Sequence, residues 1–277
     1  ARLASTLTGD LITVYKNNTD GKGVSYGTHE NYQVLREVPF GDLVKYLTPF
    51  FVTRCVFAGA GRVGLGQEDI QPGFQISQRA DFFEAEVGLE TTLRRPIINT
   101  RDEPHADPDL FRRLHVIIGD ANMSQRINYL KMGTTAIVLS MIEAGYLKLD
   151  FELYDAVTSM HLVSHDYKFE TKQRLRDGSE MSALDIQKHY QSSAARFLTE
   201  TGETDKMAHD VVTQWGRILN ALEHDPMSLV NEVDWITKLS VLNGYRNRDQ
   251  LLWSDSRLAA IDIQFADLRP DKGLARV

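Results

Sequence analysis

The sequence predicts an α+β protein in which an antiparallel sheet packs against helices. Two observations carry this. Strand-length runs rich in β-branched and aromatic residues crowd the first half of the 277-residue chain, and apolar stripes at helical spacing crowd the second. Strands and helices are therefore segregated, not interleaved as a parallel βαβ sheet would require. A single partial large domain is expected, sheet-rich over about 1–123 and mainly helical over about 124–277, a length that can bury a sizeable core.

The chain looks helical almost from its first residue. Residues 11–16 (Leu-Ile-Thr-Val-Tyr-Lys) are β-branched and aromatic and read as a strand. Asn17 to Gly23 reads as a turn, and a second strand over Ser25–Val34 would close a hairpin. Phe40, Leu43, Val44, Leu47, Phe51 and Cys55 recur at helical spacing, which predicts a helix over about 41–58 with a possible kink at Pro49. Gly59, Gly61, Gly64 and Gly66 read as a helix stop and turn. They lack the Gly-Lys-Ser/Thr end of a phosphate loop and follow a helix instead of a strand. Phe74–Val87 reads as a long strand, Leu93–Asn99 as another, Arg101–Pro108 as a polar loop and Leu114–Gly119 as a short apolar strand.

Residues 124–144 read as a helix with Ser124 at the N-cap and Gly145 as the stop, although Gly133 argues against its continuity. Asp177–Gly178 marks a tight hairpin. Ser182 with Asp185 resembles a capping box for a helix to about 199, striped by Ile186, Tyr190, Ala194, Phe197 and Leu198. Met207, Val211, Val212, Trp215, Leu219 and Leu222 stripe the next helix. Asp225–Pro226 has the N-cap and N1 order of a third, with Leu229, Val233, Ile236 and Leu239 on its apolar face.

Composition narrows the function. A net charge of −7 disfavours a general nucleic-acid binder, whose footprint is basic. No run approaches the ~18 apolar residues of a membrane span, and no basic segment followed by an apolar one marks a secretion signal. The one cysteine, Cys55, excludes an intramolecular disulfide and fits a reducing cytosol; in its apolar run it reads as a small buried thiol. The chain has no Gly-x-Ser-x-Gly elbow, His-Glu-x-x-His helix or Cys-x-x-Cys pair, which removes the commonest hydrolase, zinc-protease and thiol-redox templates.

Four stretches could carry chemistry. In Thr28-His29-Glu30-Asn31-Tyr32, strand alternation puts His29 and Asn31 on one face. A neutral imidazole can ligate a divalent ion and an Asn amide can hold a nucleotide oxygen; a plain solvated hairpin face is the competing reading. In Arg112–Ile118, Leu114, Val116 and Ile118 suit a core while Arg113 and His115 share the opposite face. An Arg fork suits phosphate and a nearby His could ligate a phosphate-bound metal, though an ion pair at a buried edge accounts for Arg113 equally well. Asn99–Asp107 is dense in polar groups but has no recognisable metal spacing, and reads as a tightly hydrogen-bonded loop. Arg79, placed on the 74–87 strand, shares a polar face with Gln75, Ser77 and Asp81 that could line a groove for an acidic partner or simply be solvated; Phe82 and Phe83 read as core.

Several of these segments resemble the Pup ligase and depupylase family. They are Tyr15-Lys16-Asn17-Asn18, Ser25 to Tyr32, Ile76-Ser77-Gln78-Arg79, Pro96 to Asp107 and Arg112 to Met123. The resemblance runs over essentially all 277 residues, and the 96–123 block is its most specific part. Within the family, Ala80–Phe83, Glu86–Thr92 and the later Trp215…Leu222-Glu223…Asp225-Pro226 pattern look like depupylase and not ligase.

The resemblance implies a glutamine-synthetase-like fold whose curved antiparallel sheet cradles ATP and magnesium. It implies hydrolysis of the isopeptide bond between the C-terminal Glu side chain of Pup and a substrate lysine, and deamidation of Pup's C-terminal Gln. By matched motif position, His29 and His115 would ligate magnesium, Asn31 and Arg113 would contact ATP, and Arg79 and Arg101 are further candidates for nucleotide or Pup-glutamate contacts. Pup and pupylated proteins would be the partners, the cytoplasm the location and a monomer the state, with nucleotide acting as a bound cofactor more than a consumed substrate. Family members carry a Glu-x-Glu metal strand and the catalytic Asp before this region, and a small domain after it. This chain opens at Ala1–Arg2 without Met and stops at Gly273–Val277, so an internal fragment with no catalytic residue of its own is expected. A Pup–protein ligase, or an incomplete Pup- or nucleotide-binding fragment, are the alternatives.

Overall fold

The computed structural model describes residues 1–275; Arg276 and Val277, and with them the predicted chain end, lie outside the described residues. The elements run α1 (Arg2–Thr8), β1 (Thr28–Leu35), α2 (Phe40–Ala58), β2 (Arg62–Leu65), β3 (Gln71–Gln75), β4 (Phe83–Gly88), β5 (Arg95–Asn99), β6 (Phe111–Gly119), α3 (Gln125–Glu143) and α4 (Ala156–His165). They continue with β7 (Lys172–Arg174), β8 (Glu180–Ser182), α5 (Ala183–Glu200), α6 (Lys206–His224), α7 (Asp234–Asp249) and α8 (Ser256–Phe265). β1 pairs with β6, β2 with β3 and β7 with β8, all antiparallel, whereas β4 and β5 run parallel.

Helix α2 is the axis of the core. Every residue from Leu47 to Arg54 is buried, so the helix is enclosed on all sides and needs no amphipathic stripe. Phe50 packs between Tyr190 of α5 and Trp215 of α6, with ring centroids 5.4 and 6.1 Å away. Each such fully buried ring contributes roughly 1.5–3 kcal/mol of transfer free energy. Tyr190 Oη donates to the Tyr46 carbonyl at 2.6 Å and Trp235 Nε1 to the Val56 carbonyl at 2.9 Å, whereas the buried Trp215 Nε1 has no hydrogen-bond partner among the described residues. Cys55 on this helix is half-buried, and the thiol pKa is pushed up by desolvation.

The predicted caps and turns form. Ser124 Oγ accepts from Ile127 N and Ser182 Oγ from Asp185 N, Gly145 closes α3 with φ 60°, and Gly178 turns the β7–β8 hairpin with φ 89°. Helix α2 runs through Pro49 unbroken. Phe82 and Phe83 are buried as expected.

Elsewhere the structure corrects the expectations. Residues 11–16 form no strand. Leu11, Val14 and Tyr15 face solvent; the segment is tied to residues 266–268 by a Tyr15–Asp267 bridge, with Lys16 N on the Ala266 carbonyl and Leu268 N on the Val14 carbonyl, and β1 pairs with the distant β6 and not with a hairpin partner. The 59–66 glycines do stop α2, but Arg62–Leu65 between them is strand β2, held inward by the buried Arg62 guanidinium on Asp81. The predicted strand 74–87 is broken. The Asp120 carboxylate accepts from Ser77 Oγ and from the amides of Gln78 and Ala60, which draws the backbone out of the ladder before a 3₁₀ turn at Ala80–Phe82. The helix predicted from Pro226 ends after one 3₁₀ turn at Leu229, where Asn231 takes φ 78°, and α7 starts separately; Leu229, Val233, Ile236 and Leu239 are buried regardless. Met207 is exposed and leaves the α6 core stripe.

Candidate functional site

The site grows from the β1–β6 pair. Asn31 lies opposite His115, and Gln33 opposite Arg113. Directly paired residues share a sheet face, so His29, Asn31, Arg113 and His115 project to one side while Glu30, Val34, Leu114 and Val116 project into the core. Register slips between the Glu30–Val116 and Thr28–Gly119 pairs, leaving one extra residue in β6 across from His29. That bulge explains why Val116, Ile117 and Ile118 are all buried instead of alternating, and it re-aims the start of β1.

Nε2 of His115 faces Nδ1 of His29 at 3.2 Å, with ring centroids 4.9 Å apart and planes at 71°. Burial lowers the pKa of both rings. For His115, burial together with the charges of His29, Arg113 and Arg101 brings it to about 4. For His29, desolvation acts with Arg79 and Arg101 in the same direction. Both rings are therefore shifted toward the neutral form, and their 3.2 Å contact is a hydrogen bond in which one ring nitrogen donates and the other accepts, according to tautomer. His115 Nδ1 is buried and, among the described residues, without a hydrogen-bond partner.

Arginines surround this pair. Arg113 Nη1 donates to Asn31 Oδ1 at 3.4 Å, and its Nη2 reaches Glu103 Oε2 at 2.7 Å. Arg101 Nε lies 3.8 Å from the same carboxylate, whose side chain is 71% exposed. Arg113 shares a face with His115, as alternation predicts, and makes an ion pair, though with an exposed carboxylate and not at a buried edge. The 99–107 loop is tightly hydrogen-bonded at its start. Buried Asn99 donates to the carbonyls of Leu89 and Glu90 and accepts from the Arg101 amide, while Asp102 pairs with Arg36 and accepts from the Arg113 amide. Between loop and strand is a cleft of about 230 Å³ lined by Phe40 and Leu114 as well as by Arg101, Asp102, Arg112 and Arg113; His29, Asn31 and His115 do not border it.

Arg79 is placed differently from the expectation. It lies in the turn before the 3₁₀ segment, only 1% exposed, so it lines no solvated strand face. Asp81 and Gln75, its supposed strand neighbours, are tied up in the Arg62 cluster. Arg79 donates to the Tyr26 carbonyl and Ser25 Oγ, and lies over the Phe83 ring at 5.5 Å. Among the described residues no carboxylate pairs with it, and burial lowers its pKa to about 10. Its charge helps to lower the pKa of His29.

The sequence reading missed the support under this face. Glu30, on the core side of β1, accepts from Arg54 of α2 at 2.7 and 2.8 Å and from Tyr32 Oη at 2.7 Å; Arg54 also donates to Thr135 Oγ1. A charged residue at the core parity of a strand, matched by an Arg inside an apolar helix run, is the pattern that could have revealed the pair.

These residues fit part of a divalent-metal shell. Two nitrogens at about 2.0–2.1 Å from one ion would stand roughly 3.0–3.4 Å apart, which the 3.2 Å gap matches. Among the described residues no group of three or more His, Cys, Asp or Glu side chains converges, so other donors must complete the shell. Imidazoles alone suit Zn²⁺ better than Mg²⁺, which prefers oxygens and keeps several waters and phosphate oxygens.

Comparison with known proteins places this geometry in context. A family model described as Pup-ligase protein matches residues 1–277. The chain is 54% identical over 275 residues to a depupylase of Acidothermus cellulolyticus, covering 99% of this chain and 55% of that protein. It is 49% identical over 263 residues to a Pup deamidase/depupylase of Mycolicibacterium smegmatis, covering 95% and 53%. To a Pup–protein ligase of Micrococcus luteus it is 42% identical over 281 residues, covering 100% and 60%. It therefore spans about half the length of the curated relatives it matches. Two solved structures superpose closely. The complex between Pup and its ligase PafA gives a TM-score of 0.88 at 39% identity, over 99% of this chain and 56% of that one. PafA in complex with ADP gives 0.87 at 38%, over 99% and 61%. That agreement puts the chain in the glutamine-synthetase-like α+β class expected from sequence.

Proposed function

The chain belongs to the Pup-ligase protein family, and from that premise we propose that it carries the nucleotide- and metal-binding face of an ATP-dependent depupylase and Pup deamidase. The proposed activity is hydrolysis of the isopeptide bond between the C-terminal Glu side chain of Pup and a substrate lysine, with deamidation of Pup's C-terminal Gln. The observation that carries it is the His29–His115 pair standing beside Arg113 and Asn31 on one strand face. Hydrolysis is favoured over ligation by the higher identity to the depupylase than to the Micrococcus luteus ligase.

In this reading, Nδ1 of His29 and Nε2 of His115 would hold a magnesium ion beside the nucleotide. When bound, the ion neutralises phosphate charge and polarises the oxygens it touches. Arg113 turns its fork from Glu103 to phosphate, Asn31 gives its amide to a nucleotide oxygen, and Arg101 adds positive charge at the mouth of the cleft. Arg79 holds the strand entry through the Tyr26 carbonyl and adds its charge near His29. The attacking group is assigned to no residue of this chain. Pup and pupylated proteins are the proposed partners, a monomer the proposed state and the cytoplasm the proposed location, which suits a chain with a single thiol.

The test is incubation of the full-length protein with a pupylated substrate, ATP and Mg²⁺. Release of the free substrate and of Pup supports the reading. Attachment of Pup coupled to stoichiometric ADP release would establish the second reading, a Pup ligase, which the match to the two PafA structures keeps in play. Nucleotide and Pup binding with no turnover would leave a binding module.

A further inference from the structure

Gly27 stands two residues before His29, in an exposed stretch of chain leading into β1. Its backbone does not occupy the left-handed region, so no turn demands a glycine there. What a side chain would meet is the imidazole. A Cβ on Gly27 would overlap Nε2 of His29 and lie 2.6 Å from Cδ2 and 3.3 Å from Cε1. The His29 ring thus occupies the space in which any other residue at position 27 would begin its side chain.

The backbone on both sides of the ring is anchored. Upstream, Arg79 donates to the Tyr26 carbonyl. Downstream, Glu30 is clamped by Arg54 and Tyr32, and its carboxylate lies over Gly119, where a Cβ would come within 2.6 Å of Oε1. With the backbone fixed, His29 retains only its own side-chain torsions. The gap at Gly27 selects the rotamer that turns Nδ1 toward His115 and tucks Nε2 away from it.

We propose that Gly27 is a positioning residue: the missing side chain is the seat of the His29 imidazole, and any larger residue there swings the ring off His115. The consequence for metal binding rests on the reading of the two histidines given above. The ring is the mobile end of this contact, so a methyl group at 27 displaces the ring instead of breaking the fold.

The experiment compares full-length wild-type protein with Gly27→Ala and Gly27→Ser, and uses His29→Ala as the control. The readouts are the thermal midpoint, the NOE between the ring protons of His29 and His115 in ¹³C-histidine-labelled metal-free protein, and Mn²⁺ affinity by EPR in the presence of ADP. At an ordinary φ, Gly→Ala restricts the unfolded chain, so the midpoint should hold or rise slightly. The ring NOE should disappear, and the Mn²⁺ dissociation constant should rise about 10- to 100-fold, as for other groups that orient a ligand. A retained NOE in both Gly27 variants overturns the proposal. If His29→Ala leaves Mn²⁺ affinity unchanged, the metal reading fails, and the NOE alone decides whether Gly27 positions the ring.

Discussion

Nε2 of His115 and Nδ1 of His29 confront each other at 3.2 Å, two rings that the fold keeps uncharged. This arrangement has a pH signature. Unfolded, each ring titrates near its ordinary value of 6.5; folded, His115 takes its proton only near about 4. Between those values the unfolded state binds more protons, so the stability from the neutral ring is complete above about pH 6.5 and is lost as pH falls toward 4. Asp69 works in the opposite sense. Burial raises it to about 6, and its contribution weakens as pH rises from about 4 to 6. Thermal midpoints of wild type and His115→Asn across pH 4–8 separate the two. The wild type should lose more on acidification, and parallel curves would contradict the buried neutral ring.

Arg113 pairs with Glu103. The pair is 2.7 Å long, but the Glu103 side chain is 71% exposed, so the ion pair is weakly stabilising and easily exchanged for a phosphate. Hydrogen bonds to charged groups contribute about 1.5–3 kcal/mol, so Arg113→Ala should weaken ADP binding roughly 10- to 150-fold by calorimetry. Glu103→Gln removes the competitor and should tighten ADP binding a few-fold. An Arg113→Ala variant with wild-type ADP affinity would remove Arg113 from the nucleotide site.

The pattern of the strand faces was legible from alternation alone, because β1 and β6 each have one face in the core: His29 with Asn31, and Arg113 with His115, needed no more than a period of two. That β1 would choose β6 as its partner was not legible. The nearer 11–16 segment has equal strand propensity, and only tertiary pairing decides between them. The bulge at Ile117–Ile118 was likewise hidden, since three successive apolar residues fit a buried strand as well. Arg79 was misplaced because the break in its strand comes from Asp120, 41 residues later, whose carboxylate claims Ser77 and Gln78. Helix caps, in contrast, are local chemistry, and Ser124 and Ser182 behave as their neighbours in sequence dictate.

Gly133 read as a weakness in α3 and proves to be a contact. A Cβ there would come within 2.6 Å of Val211 Cγ2 and 3.1 Å of Cγ1, so α6 can approach α3 only over a glycine. Alanine would gain about 1 kcal/mol of helix propensity. It would also overpack the helix interface, which typically costs about 1–3 kcal/mol. Overpacking should win because Val211 is stiff at χ1 and buried. Gly133→Ala should therefore lower stability by about 1 kcal/mol in urea, and Gly133→Ala combined with Val211→Ala should recover part of that loss. A stabilised single variant would show that the helices part freely.

The Arg54–Glu30 pair fixes the underside of the site at 2.7 and 2.8 Å, with both side chains no more than 3% exposed. Arg54 also lies over the Phe51 ring at 4.8 Å, and burial lowers the pKa of neighbouring Lys131 to about 8. Removing one partner of a buried pair strands the other charge, so Arg54→Met should cost about 3–5 kcal/mol. Replacing both, as Glu30→Leu with Arg54→Met, exchanges the pair for apolar packing of similar volume and should recover most of that loss. If the pair's role were stability alone, the double variant would also bind Mn²⁺ and ADP like the wild type. We expect instead a folded protein with weakened Mn²⁺ binding, because Glu30 no longer clamps the backbone beside His29, across from the β6 bulge. Urea unfolding and Mn²⁺ titration on the same samples decide between the two, and wild-type affinity in a stable double variant would show that the carboxylate does nothing for the histidine beside it.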